Sequence, residues 1–133
     1  MITPRDARAI QRLLSLSRDL DNGLRCKHVC CIMKGKRILS LAHNQPITDA
    51  FHFKYSRRQA KTYRHAESAC IKQVQFRDDL DSVTLYVARV DNNGEQANSK
   101  PCPSCERAIR DNGIKRVVYS TERGIEEVTN IVN

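Results

Sequence analysis

Apolar residues along this chain come in short blocks, and the spacing inside each block predicts the element it forms. Residues 4–21, PRDARAIQRLLSLSRDLD, place Ala7, Ile10, Leu13, Leu14, Leu16 and Leu20 at helical spacing. Pro4 suits a first-turn position, and Asn22-Gly23 is a stop signal. Residues 26–33 (CKHVCCIM) and 36–42 (KRILSLA) read as strands joined by a hairpin at Lys34-Gly35. Residues 44–63 show no period, contain Pro46, and are expected to be a long connection, a length that is usually functional or disordered in a small domain. Residues 65–76 are expected to be a helix with Ala66, Ala69, Cys70, Ile71 and Val74 turned inward. VTLYVARV, 83–90, is a strand that leads into the turn Asp91-Asn92-Asn93-Gly94. A helix is expected over 103–112 with Gly113 as its cap, then a strand over 115–120. A short turn at Glu122-Arg123-Gly124 leads to an edge strand over 125–131. Strands alternating with helices argue for an α/β sheet with helices on its faces.

The 133 residues are expected to form one domain with a single core, without internal repeats or linkers. Blocked rather than diluted apolar residues exclude a disordered tail. No run of about 18 apolar residues exists to span a membrane. The N-terminus mixes charged and apolar residues and lacks the greasy core of a signal peptide, so a cytoplasmic location is expected. Without such a signal, the six cysteines are read as thiols or metal ligands rather than bridges. A net charge of +8 implies anionic partners, such as nucleotides or nucleic acid.

Two short motifs carry chemistry. In His65-Ala66-Glu67 the first and third residues would point nearly opposite ways in mid-helix, but at a helix's first turn both can reach one cavity. In Pro101-Cys102-Pro103-Ser104-Cys105, Pro103 fits the first helical position and leaves Cys102 at the cap, with both sulfurs on one side of the turn. A helix start favours thiolate, the form that binds metal. One imidazole and two thiolates suit a tetrahedral zinc whose fourth position is left to water. Two thiolates cancel the metal's charge and weaken it as a Lewis acid, so a neighbouring carboxylate, Glu67, is needed to take a proton from that water. The same carboxyl can then deliver the proton to a ring nitrogen and to a leaving amine. That division of labour is hydrolytic deamination of an amino-substituted pyrimidine or purine. Each motif alone is weak, but their joint chance is of order ~10⁻³.

H-A-E followed by P-C-x-x-C resembles the zinc signature of the cytidine/deoxycytidylate deaminase superfamily. The resemblance runs from about residue 25 to 120. KHVCCIMKGKRILSLAHN looks like the family's opening hairpin and its Asn-bearing loop, and SKPCPSCERAIRDNGIKRVVYS like the second zinc motif with its helix and strand. It implies zinc as cofactor, His65, Cys102 and Cys105 as its ligands, and Glu67 as proton shuttle. Asn44 is implied to contact the sugar, and the backbone at Ala66 and at Ser99–Lys100 to hold the base edge. The implied fold is a three-layer α/β/α sandwich around a five-stranded mixed sheet. Relatives specific for nucleotides or tRNA place a helix between the last two strands. Glu122-Arg123-Gly124 is too short for one, so an antiparallel final pair is expected, as in the free-nucleoside branch. Relatives often complete their pockets across subunits, which makes a homo-oligomer compatible with this reading.

Blander readings stand beside these. A purely structural zinc would need a fourth protein ligand from His52, His43 or Cys70. Cys26, His28 and Cys30 share one strand face and Cys31 the other. They are read as core, with a second metal, which some deoxycytidylate deaminases carry, as the alternative. The blander reading of Asn44 is a turn residue before Pro46, and the substrate role is favoured over it. Residues 51–64 hold five basic residues, no acid and four of the chain's seven aromatics. Such a segment could bind one nucleotide, with Arg57, Arg58, Lys61 or Arg64 on its phosphate. It could also bind single-stranded nucleic acid, or be a solvated basic surface. The basic stripe Arg5, Arg8, Arg12, Arg18 is ordinary surface. The favoured activity is hydrolytic deamination of a cytosine nucleotide or nucleoside, deoxycytidylate first. The alternatives are a deaminase of single-stranded DNA or RNA and a non-catalytic, zinc-stabilised nucleic-acid-binding module.

Overall fold

The computed structural model describes residues 1–21, 23, 26–48, 51, 55 and 63–129. Helix α1 (Pro4–Asp19) is opened by Thr3, whose hydroxyl accepts from the Asp6 N–H while the Asp6 carboxylate accepts from the Thr3 N–H. This reciprocal cap satisfies two otherwise orphan donors. Its inward stripe is Asp6, Ile10, Leu13, Leu14 and Ser17. Leu16, part of the expected apolar set, is turned outward, and Ser17 takes the inward place by donating its hydroxyl to the Leu13 carbonyl at 2.8 Å.

Strands β1 (Lys27–Lys34) and β2 (Arg37–His43) form the expected hairpin, with Gly35 in the left-handed region at its turn (φ 59°). The connection read as structureless carries two short strands, β3 (Gln45–Thr48) and β4 (Tyr63–Arg64), paired antiparallel as a separate ribbon. Strands of two to four residues have no room for a period, so pairing rather than pattern defines them. Helix α2 (Ala66–Val74) follows, then a single turn at Leu80–Ser82 and strand β5 (Thr84–Val90). A short strand β6 (Gln96–Ala97) folds back on β5 within the expected loop. Helix α3 (Pro103–Asp111), β7 (Arg116–Thr121) and β8 (Gly124–Thr129) complete the chain as anticipated, to within two residues at their ends.

The sheet runs β2-β1-β5-β7-β8, with β6 on the far end of β5. β5 and β7 are parallel, joined through α3, and every other pair is antiparallel, including β7–β8. That is the expected mixed sheet. Alternation along β5 divides the core: Leu85 and Val87 pack with Cys70, Ile71, Ala108 and Ile109 of α2 and α3. Tyr86, Ala88 and Val90 pack with Ile10, Leu13 and Leu14 of α1. Three layers result, α1 on one side and α2 with α3 on the other. Cys30 and Cys31 fall on opposite faces, both buried, and Cys70 is buried beneath α2. The Cys70 thiol donates to the Cys30 carbonyl and accepts from the Ser40 hydroxyl, each at 3.2 Å. No helix among the described residues is long and apolar enough to cross a membrane.

Candidate metal centre and active site

Both motifs sit at helix starts on the same side of the sheet. His65 is the N-cap of α2, in extended conformation, and its carbonyl accepts the first helical bond, from Ala69. Cys102 is the N-cap of α3, with Pro103 after it fixing the first helical φ and Cys105 one turn on. The sequence requires this arrangement, since Pro103 can start a helix but not continue one. The two starts bring together residues 37 and 40 apart: His65 Nδ1 lies 3.6 Å from Cys102 Sγ and 3.4 Å from Cys105 Sγ. All three donor atoms fall within 4.8 Å of one another. A tetrahedral ion bonded at about 2.3 Å to sulfur and about 2.0 Å to nitrogen holds such atoms about 3.5 Å apart. The donors therefore fit zinc in identity and in spacing. Among the described residues no other group of three histidine, cysteine or carboxylate side chains is placed to hold an ion.

Of the fourth ligands a structural site would need, Cys70 is engaged with Cys30 and Ser40 in the core. His43 directs Nδ1 at the Asn44 carbonyl, 2.9 Å away. His52 lies outside the described residues.

Glu67, in the first turn of α2, is 4 % exposed. Burial pushes its carboxyl above the usual range, against hydrogen bonds that it accepts from its own N–H and from the Cys105 thiol. A carboxyl placed beside the donors can take up a proton and give it back. The thiols form a coupled pair. The Cys102 thiol is pushed down to about 3 by a hydrogen bond from Cys105 and by His65, and Cys105 is raised in turn. A dication held by the two sulfurs would remove this asymmetry, because a coordinating thiol is deprotonated outright. The buried Ser68 hydroxyl, 3.9 Å from Cys105 Sγ, backs the second sulfur.

The other expected site residues are placed as follows. Ala66 is fully buried at the first position of α2. The Asn44 side chain is turned to the start of β1, where Oδ1 accepts from the His28 N–H at 3.1 Å and Nδ2 donates to the Cys26 carbonyl at 2.9 Å. Ser99 is buried, its N–H donating to the Ser120 carbonyl and its hydroxyl to the Val87 carbonyl. Lys100 is exposed, and its N–H donates to Asn98 Oδ1. Arg57, Arg58 and Lys61 lie outside the described residues. Arg64 donates to Gln45 Oε1 at 2.9 Å and lines a cavity of about 300 Å³ with His43, Ala69, Lys72 and Gln73. That cavity is on the outward face of α2, opposite the buried Glu67 and Cys70, so Ala69, expected inward, faces it. Phe51 and Tyr55, two aromatics of the basic segment, pack on the core and on each other, with ring centres 5.5 Å apart.

Two residues near the donors carry no motif. His28 on β1 lies directly opposite Arg89 on β5. Burial and the charges of Arg89 and His65 hold its imidazole down to about 4, so it is neutral at pH 7. Arg89 is the single charged residue in the strand VTLYVARV, and a lone charge in a doubly buried strand was the available signal.

The fold and these four side chains define a zinc-dependent hydrolase of the nucleoside and nucleotide deaminase class. The model of the cytidine and deoxycytidylate deaminase zinc-binding region matches residues 4–121, and the chain belongs to that family. Solved structures share the fold. The dCMP deaminase from the cyanophage S-TIM5 in apo form is 18 % identical, with a TM-score of 0.54 over 88 % of this chain and 83 % of that one. Its complex with dCMP and dUMP gives 17 % identity and a TM-score of 0.56 over 90 % and 83 %. The cytidine deaminase from Mycobacterium leprae gives 17 % and 0.53 over 90 % and 91 %. No curated protein matches the chain in sequence.

Proposed function

We propose that this chain hydrolyses the exocyclic amine of a cytosine nucleotide, dCMP in preference, giving the uracil nucleotide and ammonia. The observation that carries the reading is the buried Glu67 carboxyl set against a His65, Cys102 and Cys105 trio spaced for zinc. Zinc bound there supplies the Lewis acidity that brings a water within reach of deprotonation near neutral pH. Glu67 takes that proton, passes it to the ring nitrogen beside the amine-bearing carbon, and carries a second proton from the added water to the departing amine. One water is consumed and one ammonia leaves, so the carboxyl ends as it began. Ser68 holds the Cys105 sulfur in place.

The preference for a nucleotide rests on the net charge of +8 and on the basic segment 51–64, where Arg57, Arg58 and Lys61 are assigned to phosphate. The sugar is assigned to Asn44 and the base edge to the backbone at Ala66, Ser99 and Lys100. The S-TIM5 enzyme, described in complex with dCMP and dUMP, supports the same substrate class. The same charge keeps single-stranded DNA or RNA as the second reading.

Ammonia release from a panel of cytosine and adenine nucleosides, nucleotides and short oligomers tests the choice. Consumption of dCMP with oligomers untouched is the expected result. Turnover confined to oligomers, or to adenine compounds, would overturn it.

A further inference from the structure

Two serine hydroxyls close the gap where strand β5 changes partner. β5 pairs with β7 from Thr84 to Val87, and at Arg89 and Val90 it pairs with β6. Ser99, just past β6, and Ser120 on β7 meet at that handover, and both are buried. Their hydroxyl oxygens lie 3.0 Å apart. The Ser120 N–H donates to Ser99 Oγ at 2.9 Å, and the Ser99 N–H donates to the Ser120 carbonyl at 2.8 Å. The Ser99 hydroxyl donates to the Val87 carbonyl at 2.9 Å, where the β5–β7 ladder stops. The Ser120 hydroxyl donates to the Ala97 carbonyl at 2.9 Å and accepts from the Arg89 N–H at 3.2 Å. Each hydroxyl thus accepts one backbone N–H and donates to one backbone carbonyl, so both are matched within the chain.

The position gives this knot a second meaning. Ser99 is three residues ahead of Cys102, one of the three metal donors. Between them stand Lys100, whose N–H is held by Asn98 Oδ1, and Pro101, whose ring fixes its own φ. The stretch is therefore tied at both ends. One end is the buried serine pair, and the other is the start of α3, where the Cys102 carbonyl accepts from the Glu106 N–H at 2.9 Å. It begins where the β5–β7 ladder ends, on the carboxyl side of two parallel strands, the place where open α/β sheets take their ligands. A buried hydroxyl whose partner is removed leaves backbone groups unmatched, so losing either serine would loosen this stretch at its sheet end.

We propose that Ser120, acting through Ser99, is a positioning residue for the substrate base: the pair fixes the chain from Ser99 to Cys102 at the height where the pyrimidine ring is seated. This rests on the reading of the chain as a cytosine nucleotide deaminase with the backbone at Ser99 and Lys100 against the base edge. Both hydroxyls spend their bonds within the chain, so their effect is on the seat of the ring and not on the reacting atoms.

The test is calorimetric binding of dUMP and of deoxyuridine to the zinc-loaded protein, with zinc content and thermal unfolding measured alongside. Ser120→Ala should weaken both ligands by the same factor, about 5- to 20-fold, because the base is common to both. Zinc per chain should stay at the wild-type value, because His65, Cys102 and Cys105 keep their helix starts. Ser120→Cys keeps a weaker donor of similar size and should recover part of the affinity, and it serves if the alanine variant does not fold. A lower Tm with both affinities unchanged would make the pair a staple of the fold alone and overturn the proposal. Weakening confined to dUMP would overturn it by placing the effect at the phosphate, and loss of zinc would do so by placing it at the metal. Failure of wild type to bind either uracil compound would instead bring down the deaminase reading on which this one stands.

Discussion

Asp6 in the first turn of α1 and Arg116 at the start of β7 are joined by two hydrogen bonds, of 2.9 and 2.7 Å, across 110 residues of chain. The Tyr86 hydroxyl donates to the same carboxylate at 2.5 Å. Asp6 is buried and Arg116 partly so, and these contacts fix the helix layer to the sheet with a half-buried ion pair rather than by apolar contact alone. Removing Asp6 takes two hydrogen bonds from Arg116, which keeps Glu127 as its ion partner, and the acceptor from the Tyr86 hydroxyl. Asp6→Ala is expected to lower stability by about 3 kcal/mol, or about 10 °C in Tm, measured by denaturant and thermal unfolding.

The same pair predicts acid sensitivity. Burial alone would raise the Asp6 carboxyl, but hydrogen bonds from Arg116, Tyr86 and the Thr3 backbone outweigh it and hold it well below the usual carboxylate range. A carboxyl depressed in the folded state contributes stability above its unfolded pKa of about 3.9 and loses it as pH falls toward the folded value. The stability gap between wild type and Asp6→Asn should therefore be full at pH 6 and narrow steadily below about pH 4. A gap that widened in acid would contradict this.

Glu67→Gln keeps the size of the side chain and removes its ability to take a proton. Turnover should fall by about a thousandfold while the protein retains its zinc, read by ammonia release beside metal analysis. A variant that kept its activity would show that the proton travels elsewhere.

Metal content should follow the donor set closely. Wild type should carry one zinc per chain, Cys105→Ser and His65→Ala should lose it, and Cys31→Ser and Cys70→Ser should keep it. Ser68→Ala, which removes the hydroxyl behind the Cys105 sulfur, should weaken zinc by about tenfold in a chelator competition.

Asn44→Ala would leave the His28 N–H and the Cys26 carbonyl without their side-chain partner. A stability loss of about 2 kcal/mol is expected from urea unfolding, together with a raised KM for dCMP. A raised KM at unchanged stability would make the substrate its main duty.

The metal site was legible because its chemistry is written in windows of three to five residues: a helix start sets the geometry within His65–Glu67 and within Cys102–Cys105. Only the meeting of the two windows needed the fold. The antiparallel end of the sheet was equally legible, since the two residues between β7 and β8 cannot make a crossover. Strands β3, β4 and β6 were not, because a strand of two to four residues exists only through its partner. Glu67 and Ser68 read as polar yet are buried, for α2 turns most of its first turn inward to serve the site. His28 and Arg89 stand 61 positions apart and acquire meaning as a facing pair, which no local pattern encodes.

Between Val90 and Cys102 the chain reverses at Asp91–Gly94, and Gln96 and Ala97 return alongside Val90 and Arg89. The donors are fixed by the starts of α2 and α3, whereas this small flap hangs from the sheet by its own bonds, including those of Gln96 Nε2 to the Thr121 and Gly124 carbonyls. Selection can therefore lengthen, shorten or recharge the flap while leaving the ion where it is. The donors' geometry is thereby insulated from change in the chain that leads up to one of them.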